Sequence, residues 1–336
     1  MYHFVWDQNQ QLSLEEKEAR VDLPREKSRM VWILLSVGAI PLFCVAAQYL
    51  IFYAVRWLFP SLLREGWFSL LLGSVTMYLI AMPAAYLLLR RAPACAPSKG
   101  KLPLRALPML LSTALALTTA GSMISNVINQ AIALFSEEGV TNPVESATAN
   151  TPMWANVLCL VILAPIFEEL FFRKFLIDRL RPYGDLTAIL ISALVFGLIH
   201  GNFSQVFYAA FVGVLLGGVY CKTGKLRHTV AIHMFLNFFG GIFVLLIRNA
   251  CGNELPQTLT TELFAEHPLG AALLCLYYAV TLTALGAAAP SIIYLLRRKK
   301  LEKGTVPFKK EIRRAVLLAN PAFWIALTVM VVYFFI

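Results

Sequence analysis

Charged residues are scarce in this 336-residue chain, and their scarcity excludes an ordinary soluble domain. They make up 14% of the sequence, whereas soluble globular proteins carry about 25%. Hydrophobic residues make up 59%, and the mean hydropathy is +0.69. The sequence therefore predicts an integral membrane protein, whose architecture is set by the thickness of the lipid bilayer.

Several motifs are also missing, and each absence argues against a class of site or protein. The six cysteines have no CxxC spacing, which argues against a disulfide framework or a cysteine zinc site. The chain has no HExxH motif and no convincing internal repeat, which disfavours a zincin and an inverted-repeat transporter. The net charge of +10 is distributed between apolar runs, so no nucleic-acid partner is expected. The polar N-terminus does not have the pattern of a cleaved signal peptide.

Long apolar runs predict an all-α, polytopic transmembrane helix bundle with about nine membrane spans, or eight, of which about four carry the motifs described below. The predicted spans are 31–58, 67–89, 106–135, 153–172, 186–200, 203–221, 228–248, 268–296 and 315–336. The expected organisation is a cytoplasmic tail at 1–30, accessory transmembrane helices at 31–135 with a basic, proline-rich linker at 91–108, a core at 150–250 that contains these motifs, and C-terminal transmembrane helices at 251–336.

The basic residues predict the orientation of the chain. Nearly all of the 29 lysines and arginines lie in the N-terminal tail or in every second connection between spans. Because basic connections stay on the cytoplasmic side, the N-terminus is expected in the cytoplasm and the C-terminus outside. Short connections between the spans favour a bacterial inner-membrane protein.

Two adjacent carboxylates, Glu168 and Glu169, interrupt one of the most apolar runs. Charges in such a setting are costly and commonly functional. Arg173 follows Glu169 by four residues, so the two can pair on one helix face. Glu168 then lies about 100° around the helix and is free to act as a general base. The alternative is an ion-paired cluster at the membrane interface, in which both glutamates anchor the helix end. If the helical hairpin projects past the membrane into the cytoplasm, Arg173 and Lys174 are expected near the lipid headgroups.

His200 is expected to lie level with Glu168. The connection between the fourth and fifth spans turns at Gly184, which is halfway between the two residues. In an antiparallel hairpin folded there, the two side chains can meet if both face inward. Phe196 precedes His200 by four residues, on the same helix face. A lone histidine near a helix end is otherwise more often structural.

His233 and Asn237 form a third polar pair with helical spacing. Their alternative role is a helix–helix hydrogen bond inside the membrane. Together the four residues have a coherent chemistry, in which Glu168 takes a proton from water and His200 orients that water. His233 and Asn237 donate hydrogen bonds to the oxyanion that forms when a peptide carbonyl is attacked. In a competing metal mechanism, Glu168, His200 and His233 would hold zinc.

These motifs resemble those of the CAAX prenyl protease and bacteriocin-processing family of intramembrane endopeptidases, whose pattern is EExxxR, FxxxH and HxxxN or HxxxD. Here they read Glu168-Glu169-Leu-Phe-Phe-Arg173, Phe196-Gly-Leu-Ile-His200 and His233-Met-Phe-Leu-Asn237. The resemblance covers about residues 150–250. It implies a helical membrane protease in which Glu168, His200, His233 and Asn237 are catalytic, with Glu169 and Arg173 supporting them. Members are described both as metalloproteases and as glutamate proteases, so zinc stays an alternative cofactor.

The expected partners are the lipid bilayer and a peptide or membrane-protein substrate that approaches from the cytoplasmic side. Two other functions compete with proteolysis. The first is a non-catalytic membrane scaffold or bacteriocin-immunity protein with the same fold. The second is a proton-coupled secondary transporter that uses Glu168 and His200 as a relay.

Overall fold

The protein is a bundle of helices. A computed structural model describes residues 21–135, 147–148, 151–256, 258–296, 301–307 and 310–335, and these residues contain no β-strand. The principal helices, numbered in chain order, are α1 (Leu23–Leu58), α2 (Gly66–Leu89), α3 (Ala106–Ala133), α4 (Met153–Tyr183), α5 (Asp185–Leu198), α6 (Phe203–Thr223), α7 (Leu226–Ala250), α8 (Thr261–Glu266), α9 (Pro268–Leu296), α10 (Glu311–Leu318) and α11 (Pro321–Tyr333).

The predicted polytopic all-α bundle is confirmed. Among the described residues, seven helices are long and apolar enough to cross a membrane, and the pair α10 and α11, bent by 59°, would make an eighth span. The predicted span at 186–200 corresponds to α5, which is apolar but short. Its 14 residues extend only about 21 Å at the helical rise, less than the ~30 Å hydrocarbon core.

The first helix begins earlier than the apolar pattern predicts. It starts at Leu23 rather than near residue 31, because Asp22 caps it: the Asp22 carboxylate accepts a hydrogen bond from the Arg25 amide at 3.1 Å. The predicted tail at 1–30 therefore includes a helical turn at its end. Residues 1–20 of that tail lie outside the described residues.

The predicted hairpin is formed by α4 and α5, which meet at Gly184. Gly184 has φ +98°, a conformation that favours glycine. The segment 301–307 lies along the turn: the Asp185 amide donates to the Glu302 carbonyl at 3.1 Å. Arg181 forms ion pairs with Asp185 at 2.8 Å and with Glu302 at 2.6 Å. The C-terminal part of the chain therefore closes the turn end of the hairpin.

The basic linker between α2 and α3 packs on the same end of the bundle. The Cys95 amide donates to the Asp178 carbonyl at 2.6 Å, and the Gly100 amide donates to the Thr223 carbonyl at 2.8 Å. The accessory helices are thus tied by backbone hydrogen bonds to α4 and α6.

Helix α2 runs parallel to α4. The Tyr78 ring stacks on Phe167 with a centroid distance of 5.7 Å, and the Tyr86 ring lies 4.2 Å from Phe175. From the first contact to the second, the residue number rises by the same amount on both helices, so the two chains run in the same direction. This relative direction agrees with α2 and α4 being the second and fourth spans of an alternating bundle.

Gly121 allows α3 to cross α6 at close range. A Cβ atom on Gly121 would collide with the backbone of Tyr208. Small residues permit such close approach of helices in membranes, where van der Waals packing supplies much of the association energy. A Cβ atom on Gly218 of α6 would instead lie in open space.

Gly121→Ala is therefore expected to lower the free energy of unfolding by about 1–3 kcal/mol, because the helices must separate to accept the methyl group. Gly218→Ala is the matched control. It should leave stability unchanged or raise it slightly, since alanine favours helix over glycine. The comparison is made by unfolding both variants in mixed detergent micelles. Equal stabilities would contradict the close crossing of α3 and α6.

Candidate active site

Glu169 and Arg173 form a fully buried ion pair on α4. Both side chains have 0% exposure, and the Arg173 Nε lies 3.0 Å from Glu169 Oε2. The guanidinium also donates from Nη2 to Glu169 Oε1 at 3.3 Å and from Nη1 to Ser192 Oγ at 3.1 Å. Buried charges persist only when they are paired and hydrogen-bonded. The i,i+4 pairing predicted from the sequence is therefore present.

Arg173 faces the interior of the bundle, and its expected depth near the lipid headgroups stays a prediction. Its guanidinium lies inside the bundle, 4.9 Å from the centroid of the Phe196 ring, and its polar partners are protein atoms. The neighbouring Lys174 differs, because its side chain is 45% exposed and pairs with Asp178 at 2.9 Å. The two basic residues thus face different surroundings, although they are adjacent in the sequence.

His233 on α7 bridges the two glutamates. Its Nδ1 lies 3.0 Å from Glu169 Oε1, and its Nε2 lies 3.8 Å from Glu168 Oε2. A carboxylate that already accepts hydrogen bonds from arginine can only accept from the imidazole, so Nδ1 carries a hydrogen. Glu169 therefore fixes the orientation of His233 and directs Nε2 toward Glu168. At 3.8 Å the two atoms are too far apart for a direct hydrogen bond, and only a water beside the pair, not between its atoms, would contact both.

The two carboxylate oxygens of Glu168 have different surroundings: one accepts a hydrogen bond, and the other faces His233. Its Oε1 accepts a hydrogen bond from the Tyr78 hydroxyl of α2 at 2.7 Å. The sequence analysis missed Tyr78. The available signal was a tyrosine in the middle of an apolar run, since a buried tyrosine hydroxyl usually finds a partner. That signal does not identify which residue the partner is.

His200 lies beside the site and contacts Phe196 rather than Glu168. Its Nδ1 is 2.7 Å from the Phe196 carbonyl oxygen, and its ring packs edge-on against the Phe196 ring at 5.1 Å. The His233 ring packs on the same phenylalanine at 5.8 Å. Among the described residues, His200 forms no ion pair with Glu168 within 4.0 Å. The hairpin thus brings Glu168 and His200 into one region, with Phe196 against both imidazoles.

Asn237 ties α7 to α4. Its Nδ2 donates to the Leu160 carbonyl at 2.8 Å. The contact joins two helices, as in the alternative role of this residue, but its acceptor is a backbone carbonyl and not a polar side chain. One amide hydrogen remains available, so the predicted role as an oxyanion donor stays a prediction.

π-Helical turns occur in each of the helices α2, α4 and α7. The segments are Thr76–Ala81, Val157–Leu163, Leu170–Ile177 and Phe238–Ile242. The first three segments contain Tyr78, Leu160 and Arg173, respectively. The fourth begins directly after Asn237. Such turns are frequent at functional sites, where they reorient side chains and backbone groups.

The candidate zinc ligands do not form a metal site. Within the described part of the chain, no group of three or more His, Cys, Asp or Glu side chains is placed to hold a metal ion. Glu168 and His200 do not approach each other within ion-pair distance, and Glu169 is occupied by Arg173 and His233. These residues therefore do not fit a zinc centre in this arrangement, and the mechanism proposed below uses none. Zinc as a cofactor stays an untested prediction.

A cavity of about 490 Å³ opens beside His200. Its walls come from α1, α2, the turn after α5 and the last helix: Val45, Gln48, Tyr49, Phe52, Leu72, His200, Gly201 and Tyr333. The lining is mostly apolar and aromatic, with Gln48 and His200 as polar groups. Such a cavity suits an apolar or extended ligand.

The fold and this site define a class: polytopic helical membrane proteins with an acid–base cluster inside the bundle. Residues 150–239 match the family described as Type II CAAX prenyl endopeptidase Rce1-like. The resemblance predicted from the three motifs is confirmed over this segment, which is similar to that family of prenyl endopeptidases. It contains Glu168, His200, His233 and Asn237. Comparison of the chain with curated proteins and with solved structures gives no match.

Proposed function

We propose that the protein is an intramembrane endopeptidase that hydrolyses a peptide bond with water activated by Glu168. The observation that carries this proposal is the bridge from Arg173 through Glu169 to His233, whose Nε2 lies 3.8 Å from the free oxygen of Glu168. The arrangement is that of a carboxylate base beside an oriented imidazole, and a water next to the two would meet both groups.

In the proposed reaction, Glu168 Oε2 takes a proton from water as the water oxygen attacks the peptide carbonyl carbon. His200 helps to orient the water: its Nδ1 is held by the Phe196 carbonyl, which leaves Nε2 as an acceptor in the neutral imidazole. The resulting oxyanion accepts hydrogen bonds from the second Asn237 amide hydrogen and from His233 Nε2 when that nitrogen is protonated.

The tetrahedral intermediate then collapses. Glu168 returns its proton to the departing amide nitrogen, the carbon–nitrogen bond breaks, and the products are a carboxylate and an amine. Glu169 and Arg173 do not exchange protons in this scheme. They hold His233 in place, and Phe196 supports both imidazoles through its ring.

The proposed substrate is a peptide segment of a membrane protein. The cavity beside His200 supports it, because its apolar and aromatic lining would accept an extended or lipid-modified chain next to the site. A prenylated peptide is the first substrate to test, since the family description names prenyl endopeptidases. We keep the cytoplasmic approach of the substrate and the bacterial inner membrane as parts of the proposal, with the N-terminus inside and the C-terminus outside. Cysteine labelling from each side of the membrane tests on which side each terminus lies.

The decisive experiment is cleavage by the purified full-length chain in lipid nanodiscs. A library of prenylated and unmodified peptides is incubated in ¹⁸O-labelled water, and the products are analysed by mass spectrometry. Hydrolysis places one ¹⁸O atom in the new carboxylate. The absence of any cleavage would favour the scaffold or immunity alternative, and proton-coupled uptake into liposomes would favour the transporter.

A metal requirement is tested in the same assay. The mechanism proposed here predicts that cleavage persists after chelation and that the purified protein contains less than stoichiometric zinc by metal analysis. Loss of activity on chelation, with recovery on adding zinc, would overturn the metal-free scheme.

A further inference from the structure

Tyr78 of the accessory helix α2 donates a hydrogen bond to Glu168. The hydroxyl of Tyr78 lies 2.7 Å from Glu168 Oε1. The residue belongs to α2, which lies outside the segment 150–239 that matches the protease family. The accessory helices therefore contact the candidate base directly.

The position of Tyr78 does not depend on this hydrogen bond alone. Its ring stacks on Phe167, the residue before Glu168, with an interplanar angle of 13°. The π-helical segment Thr76–Ala81 carries the residue. A ring held by packing on the base's own helix can offer its hydroxyl as a fixed donor, which is the requirement for preorganisation.

We propose that Tyr78 is a positioning residue, which holds Oε1 of Glu168 so that only Oε2 faces the water and His233. The inference rests on the proposed function. Without the hydroxyl, the carboxylate can turn about its last side-chain bond and lose the orientation in which one oxygen meets the water. Hydrogen bonds to a carboxylate are short and strong, and 2.7 Å is a distance typical of them.

Tyr86 offers a matched control on the same helix. It lies two turns beyond Tyr78 and also packs on a phenylalanine of α4, Phe175, with ring centroids 4.2 Å apart and an interplanar angle of 33°. Its ring also faces the Arg179 guanidinium. Tyr86→Phe thus makes the same chemical change in a similar packing environment, away from Glu168.

Tyr78→Phe is expected to lower kcat about 10- to 100-fold with little change in KM, because the hydroxyl touches the base and not the substrate. Tyr86→Phe should leave both constants within about twofold. A second variant, Tyr78→Leu, removes the ring as well. If the hydroxyl is what matters, its kcat should lie within about threefold of that of Tyr78→Phe. Thermal unfolding of all three variants reports whether the fold is retained.

The outcomes separate this inference from the proposed function. Cleavage by the wild type that is unchanged in Tyr78→Phe overturns the inference alone. A loss that appears only in Tyr78→Leu, or a change in KM instead of kcat, also overturns it, because ring packing or substrate contact would then be the cause. Failure of the wild type to cleave any peptide, or equal cleavage by Glu168→Gln, overturns the proposed function and this inference with it.

Discussion

Glu168→Gln is expected to reduce kcat by roughly 10²- to 10⁴-fold, the range over which a positioned general base accelerates a reaction. Glutamine has the same shape, and its carbonyl oxygen can still accept the hydrogen bond from Tyr78 that Glu168 accepts at 2.7 Å. It cannot take a proton from water. KM should change little, and the measurement is kcat and KM for the cleaved peptide in nanodiscs.

The control for this variant is Glu311→Gln. Glu311 is an exposed carboxylate on α10, so its neutralisation should leave cleavage and stability unchanged. A Glu168→Gln protein that is folded and retains wild-type kcat would exclude Glu168 as the base. The same result would leave the similarity of residues 150–239 to the Rce1-like family unaffected, since that rests on the sequence match.

Arg173→Met is expected to lower the free energy of unfolding by about 3–5 kcal/mol, the usual cost of removing one partner from a buried ion pair. Glu169 would keep the hydrogen bond from His233 but lose both contacts to the guanidinium, at 3.0 Å and 3.3 Å. A carboxylate with 0% exposure cannot replace them with water. The measurement is denaturation in mixed micelles with increasing sodium dodecyl sulfate.

Two comparisons test the cause of that destabilisation. The double variant Arg173→Met with Glu169→Gln removes both charges, so it should recover part of the lost stability. Lys174→Met changes the next residue, whose side chain is 45% exposed, and should cost less than about 1 kcal/mol. If Arg173→Met is no more destabilising than Lys174→Met, the buried pair does not stabilise the fold.

Much of the local structure could be predicted because it depends on residues close together in the chain. The apolar runs predicted the membrane helices, and Gly184 marked the turn of the α4–α5 hairpin. Glu169 and Arg173 are one helical turn apart, so the period of the helix itself brings them together. The three motifs could be recognised for the same reason, since the residues of each lie close together in the chain. The start of α1 was missed because its first turns are polar and are set by a cap rather than by hydropathy.

The sequence by itself therefore determined the membrane class, the hairpin, the Glu169–Arg173 pairing and the similarity of residues 150–239 to the Rce1-like family. Only the tertiary structure decided which of the polar residues contact each other. Tyr78 and Glu168 are 90 positions apart, Asn237 and Leu160 are 77 apart, and His233 and Glu169 are 64 apart. Such contacts depend on how each helix is rotated and packed against its neighbours, and helical periodicity carries no information about that. For this reason His233, rather than His200, proved to be the imidazole next to both glutamates, and Tyr78 from an accessory helix became part of the site.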